Sequence, residues 1–115
     1  MKPDIVYLGL YEYVDIVGET GEVSLRAKVD TGADKTSIDK GIAIRVGATL
    51  TGETYVTQYP TGVVRERQLI HVTIRVRGVL YDLEAVLDER SNMNFKVVLG
   101  KDILTSGPFV IVPFK

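Results

Sequence analysis

Residues Val23 to Val29 alternate without a break: Val23, Leu25, Ala27 and Val29 fall on one face, and Ser24, Arg26 and Lys28 on the other. Successive side chains of a strand point to opposite sides, so this run predicts a strand with one buried and one wet face. It leads directly into Asp30-Thr31-Gly32-Ala33-Asp34, a cluster of turn-forming residues. A carboxylate is therefore displayed where a half-buried strand stops.

The rest of the chain reads in the same idiom. Ile5 to Leu10 and Tyr11 to Val17 are strand-like and are followed by a turn at Gly18-Glu19-Thr20-Gly21. Glu53 to Tyr59, Val63 to Arg77 and Val79 to Leu87 are further strands, with a hairpin tip at Pro60-Thr61-Gly62 and a turn at Gly78. Val72, Ile74 and Val76 alternate with Thr73, Arg75 and Arg77, which again gives one dry face. Lys96 to Gly100 is a brief apolar strand, Asp102-Ile103-Leu104 one helical turn, and Phe109 to Phe114 a last strand. Asp39 to Val46 fits two descriptions: Ile42, Ile44 and Val46 alternate as in a strand, yet Asp39 could cap a short helix that Gly47 ends. Many short strands with one or two short helices predict an all-β barrel or sandwich. With 115 residues the expectation is one domain over 1–115.

Charge and composition narrow the function classes. Basic and acidic residues are mixed and the formal net charge is −1, which gives no footprint for nucleic acid or an anionic membrane. No apolar run is long enough to span a bilayer, and the first residues lack a secretory signal pattern. There are no cysteines, so disulfides and thiolate metal sites are ruled out. His71 is the single histidine and no HExxH pattern exists, so neither a metal nor another cofactor is expected. No Walker-type phosphate loop is present either. These features describe a soluble chain, expected in the cytoplasm.

Asp30-Thr31-Gly32 is the strongest candidate for chemistry. Glycine at the third position admits close backbone approach and backbone angles closed to other residues. The Thr31 hydroxyl can bond to backbone and stiffen the turn. Asp30 would then be a carboxylate held on a rigid strand end, as catalysis requires. The plainer alternative is a surface Asx turn.

The wider run Asp30-Thr31-Gly32-Ala33-Asp34-Lys35-Thr36-Ser37-Ile38 resembles the active-site loop of retropepsins, the viral aspartic proteases. Val97-Val98-Leu99-Gly100-Lys101-Asp102-Ile103-Leu104 is similar to their second hallmark, an apolar-apolar-Gly strand that enters a short helix. Leu87 to Phe95, followed by Val97 to Asp102, resembles more narrowly the bacterial and phage retropepsin-like family known as putative ATP-dependent zinc proteases. This chain departs from those patterns in having Lys101 where Arg is common.

The resemblance implies a single-lobe acid-protease closed barrel and a homodimeric endopeptidase acting on a peptide or protein substrate. Only one such triplet occurs, so the second catalytic carboxylate would be Asp30 of another copy. By the same resemblance Thr31 and Gly32 fix the loop, Ala33 and Asp34 contact substrate, and Pro60, Thr61 and Gly62 form a flap tip. Leu99, Gly100 and Lys101 support the loop, with Lys101 pairing Asp34. Two other readings stay open: an inactive binding or assembly module of the same fold, and a zinc-dependent peptidase. Arg65, Arg67, Arg75 and Arg77, evenly spaced, read as a solvated stripe or a hold for acidic peptide, and Met93 as packed inward or near substrate.

Overall fold

The computed structural model describes residues 4–114. Its strands are β1 (Val6–Leu8), β2 (Tyr11–Val17), β3 (Glu22–Val29), β4 (Ser37–Asp39), β5 (Thr49–Gln58), β6 (Val64–Val76), β7 (Val79–Asp88), β8 (Val97–Leu99) and β9 (Phe109–Ile111). Two short helices interrupt them, α1 (Lys40–Val46) and α2 (Lys101–Leu104). The strands run in the order β2-β3-β8-β4-β7-β6, and β2 pairs again with β6 through Asp15 opposite Arg75 and Ile16 opposite Ile74. That last pairing closes a six-stranded barrel, the all-β single lobe expected from the sequence.

β6 is long enough to serve two neighbours on one edge. Its inner end closes the barrel on β2, and its outer end pairs with β5 from Val64 to His71. The β5–β6 hairpin therefore projects as an arm, with Pro60-Thr61-Gly62 at its tip. Tyr59 N donates to Val63 O (2.8 Å) and Gly62 N to Tyr59 O (2.9 Å), with Gly62 at φ 87°. A positive φ at this turn is the conformation glycine adopts without steric cost.

Alternation does what the sequence promised. Ala27 and Val29 are buried while Arg26 and Lys28 are exposed, and Val72, Ile74 and Val76 are buried beside exposed His71 and Arg77. With Ile16, Ile38, Ile70, Leu99 and Ile103 they form one contiguous core. Each such side chain contributes about 1.5–3 kcal/mol on burial.

Asp39 to Val46 is resolved in favour of the helix. Asp39 Oδ2 accepts from Gly41 N (3.0 Å), and Gly47 closes the C-terminus at φ 71°. Ala43 and Val46 turn inward whereas Ile44 is exposed, so the helical face, not the period of two, meets the core. The terminal strands are shorter than expected. β1 and β9 keep three residues each and pair in parallel with each other, Tyr7 opposite Val110, apart from the barrel sheet.

The evenly spaced arginines are ion-paired, with Arg65 and Arg77 still exposed. Arg75 contacts Asp15 (2.8 Å) and Glu22 (3.0 Å), and Arg77 contacts Glu12 (3.1 Å). Arg65 and Arg67 turn to Asp88. Met93, in the loop before β8, is exposed at 53% and not packed inward, because Phe95 takes the apolar contact by stacking on Tyr11 (4.8 Å).

The Ser24 hydroxyl and then Arg75 hold the Asp15 carboxyl below the usual carboxylate range. A folded-state pKa below the unfolded one adds stability that is complete above about pH 4 and is lost as pH falls through the folded value. Asp15→Asn should therefore flatten the acid limb of a stability–pH profile measured by urea unfolding. An equally steep limb would refute this. Asp39 is buried and also accepts from Arg90 N (2.7 Å), so Asp39→Ala leaves two donors unmatched. It should lower stability by about 1–3 kcal/mol, seen as a lower urea midpoint at unchanged slope.

Candidate active site

β3 carries the chain to Asp30, and the following turn folds back on it. Asp30 N donates to Leu99 O (3.0 Å), Ala33 N to Asp30 O (3.2 Å), and Gly32 N to the Asp30 carboxylate (2.8 Å). The carboxylate is thus oriented by its own loop while remaining half-exposed. Gly32 is not among the glycines with positive φ. What selects glycine here is proximity, since a Cβ would stand 3.2 Å from Asp30 Oδ1. Thr31 is exposed, and its hydroxyl has no hydrogen-bond partner among the described residues, so it does not stiffen the turn within one chain.

Stiffness comes from behind. Thr36, fully buried, donates its hydroxyl to Asp102 Oδ1 (2.7 Å), and its backbone N–H reaches both carboxylate oxygens (2.9 and 3.1 Å). The same hydroxyl accepts from Gly100 N (3.1 Å), and Lys101 N donates to Ala33 O (2.8 Å). A Cβ on Gly100 would lie 2.6 Å from the Lys35 carbonyl carbon, so only glycine lets these two backbones touch. Leu99 and Gly100 thus stand directly beneath the Asp30 loop. Lys101 Nζ is 3.3 Å from Asp34, but both side chains are more than half exposed. A pair so wetted contributes about 0–1 kcal/mol, far less than the buried clamp.

Asp30 opens on a cleft of about 400 Å³ that Gly32, Ala33 and Asp34 also line. Tyr55 and Thr57 of β5, Tyr59 just beyond it, and Arg65 and Arg67 of β6 form its far wall, with Asp88 and Arg90 beside them. Pro60, Thr61 and Gly62 lie beyond this lining, as do Thr31 and the supporting Leu99, Gly100 and Lys101. A second hollow of about 430 Å³ contains His71, Glu19 and Asp82 and none of the Asp30 loop. Among the described residues no group of three or more His, Asp or Glu side chains could hold a metal ion. The donor set does not fit zinc, and His71 stands on an exposed strand position opposite Glu84.

Sequence reasoning missed Thr36, Asp102, Asp88 and the pairing of Arg65 and Arg67 with Asp88. Thr36 and Asp102 are 66 positions apart, and neither carries a local signature.

A closed single-lobe barrel with a strand-end Asp-Thr-Gly facing a cleft defines the acid-protease class. The chain belongs to the aspartyl protease family, whose sequence model matches residues 14–103. No curated protein sequence is detectably similar to it. Among solved structures it is similar to the EIAV protease complexed with the inhibitor HBY-793, at TM-score 0.64 and 21% identity over 89% of this chain and 90% of that one. It is also similar to Lpg0085 of Legionella pneumophila, a protein of unknown function, at TM-score 0.63 and 19% identity over 95% and 94% of the two chains. The retroviral protease-like domain of Ddi1 from Leishmania major gives TM-score 0.53 and 19% identity over 82% and 70%. At such identities the likeness is one of fold.

Thr36→Val keeps the shape of the side chain and removes the hydroxyl, which leaves Gly100 N and one carboxylate oxygen short of a partner. Unfolding should show a loss of about 1–3 kcal/mol. Amide exchange at Gly100 should quicken well beyond that at Ile74, and an unchanged Gly100 rate would show the clamp to be idle.

Proposed function

We propose that this chain is one retropepsin-like domain over 1–115 that acts as a homodimeric aspartic endopeptidase, in which Asp30 of two copies activates water. The observation that carries the reading is the Asp30 carboxylate, half-exposed at the cleft and held by a loop clamped to β8 and α2. Membership of the aspartyl protease family supports it. The absence of cysteine agrees with a reducing cytoplasm as its setting, and no helix among the described residues is long and apolar enough to cross a membrane.

The chemistry needs two carboxylates sharing one proton, since like charges a few ångströms apart do not ionise together. One carboxylate takes a proton from water as the water oxygen bonds to the scissile carbonyl carbon. The other donates its proton to the carbonyl oxygen. The resulting diol collapses with proton transfer to the amide nitrogen, and the C–N bond breaks to an acid and an amine. A two-fold axis beside Asp30 supplies both groups from one gene product.

Two features suit such an axis. Thr31, exposed and with no hydrogen bond from its hydroxyl among the described residues, is available to the neighbouring copy's loop. The β1–β9 ribbon exposes Ile5, Tyr7 and Val110, and it adjoins the site because Val29 N donates to Leu10 O (2.8 Å). Ala33 and Asp34 would bond the substrate backbone, Gly32 would keep Asp30 oriented, and the arm ending in Pro60-Thr61-Gly62 would fold over as a flap. Leu99, Gly100 and Lys101 would act only as support. Kinship with the narrower bacterial and phage group rests on Leu87 to Asp102 alone.

Asp30→Asn should reduce cleavage of a mixed peptide pool by about 10²–10⁴-fold or more, while sedimentation shows the same oligomer. Cleavage that survives the substitution would remove Asp30 from the mechanism. A dimer that pairs through another face and cleaves nothing would instead favour the inactive binding module.

A further inference from the structure

The wall facing Asp30 is more basic than its own acids can balance. Arg65 Nη2 lies 2.7 Å from Asp88 Oδ1, Arg67 Nη1 3.1 Å from Oδ2, and Arg90 Nη1 3.8 Å from the same oxygen. Three guanidiniums thus converge on one carboxylate. Lys28 and Lys35 bring the basic side chains of the cleft to five, against Asp30, Asp34 and Asp88. Asp34 is drawn toward Lys101, outside this lining.

Two of these charges are largely withdrawn from water. The side chains of Arg67 and Arg90 are only 16% and 15% exposed. Arg67 Nε is buried and has no hydrogen-bond partner among the described residues. Such groups cost free energy unless an anion or acceptor completes them. They are also fixed in place: Arg67 Nη2 donates to the Thr57 hydroxyl (3.1 Å), and Arg90 Nε to Phe95 O (2.8 Å). Lys35 and Arg67 both approach the Tyr55 ring at 5.9 Å, which steadies that wall further. A rigid, under-neutralised cluster is a site prepared for an anion.

We infer that Arg65, Arg67 and Arg90, set on Asp88, form the subsite for an acidic side chain of the substrate. The preferred peptide then carries Glu or Asp close to the bond placed at Asp30. Asp88 acts as the positioning residue, gathering the three guanidiniums at the cleft wall. A carboxylate on a peptide fits better than a polyanion, because the cluster shares one cleft with Asp30 and the chain as a whole is nearly neutral. This inference rests on the peptidase reading for its role, but its binding test does not.

The test uses the full chain carrying Asp30→Asn and three fluorescein-labelled decapeptide pools that differ only in a central Glu, Gln or phosphoserine. Fluorescence anisotropy should show the Glu pool binding about tenfold or more tighter than the Gln pool. That ratio should fall below about threefold in 0.5 M NaCl and in Arg65→Gln, whose side chain is 47% exposed and tolerates replacement. Arg45→Gln, at an exposed position on α1, should leave it unchanged. Equal binding of Glu and Gln overturns the subsite, and so does an equal loss in Arg45→Gln. Tighter binding of phosphoserine than of Glu overturns the carboxylate assignment. Cleavage of the same pools by the unsubstituted chain separates the two claims. Glu preference without cleavage sinks the peptidase reading alone, and cleavage without Glu preference sinks the subsite alone.

Discussion

The buried contact between Thr36 and Asp102 organises everything near Asp30. One hydroxyl both donates to the Asp102 carboxylate and accepts from Gly100 N, so it ties the strand that follows the loop to the helix that follows β8. Hydrogen bonds to a charged group contribute about 1.5–3 kcal/mol each, and more is lost when one partner is left buried alone. The clamp works only because Gly100 has no side chain, which lets the two backbones touch. The catalytic candidate is thus rigid from behind and open in front. That division suits a group that must meet a second carboxylate across a dimer axis.

The barrel explains why the front is where it is. Closure of β2 on β6 uses the inner part of β6 and leaves its outer part to carry β5 as an arm. The arm and the Asp30 loop then face each other across the cleft, with Arg65 and Arg67 on the arm side. Asp88, at the end of β7, pairs with both arginines; Arg67 is thereby held mostly out of solvent while Arg65 stays half exposed. The arm and the basic wall follow from one strand being longer than the barrel requires.

Local structure was legible in the sequence, and long-range contacts were not. Alternation located β2, β3, β6 and β7 because a period of two reports burial directly. It left Ile42, Ile44 and Val46 open between strand and helix, and the Asp39 cap and Gly47 decide for the helix. The triplet at Asp30 stood out because strand and turn signals meet there. Of the two reasons the sequence offered for Gly32, the special backbone angle is not used, and close approach to the Asp30 carboxylate is. Thr36, Asp102 and the Asp88 cluster were invisible, since each is polar and acquires meaning only when distant segments meet. The same holds for Arg65 and Arg67, whose even spacing reads like that of any exposed strand face.

The account stands or falls on the separation of two carboxylates. A crystal structure of the protein in its oligomeric form should place the Asp30 side chains of two copies within hydrogen-bonding reach, about 2.5–3 Å apart across a two-fold axis. Thr31 and the β1–β9 ribbon should lie at that interface. Asp30 carboxylates held far apart in a stable dimer, or a protein that stays monomeric with peptide bound, would contradict it.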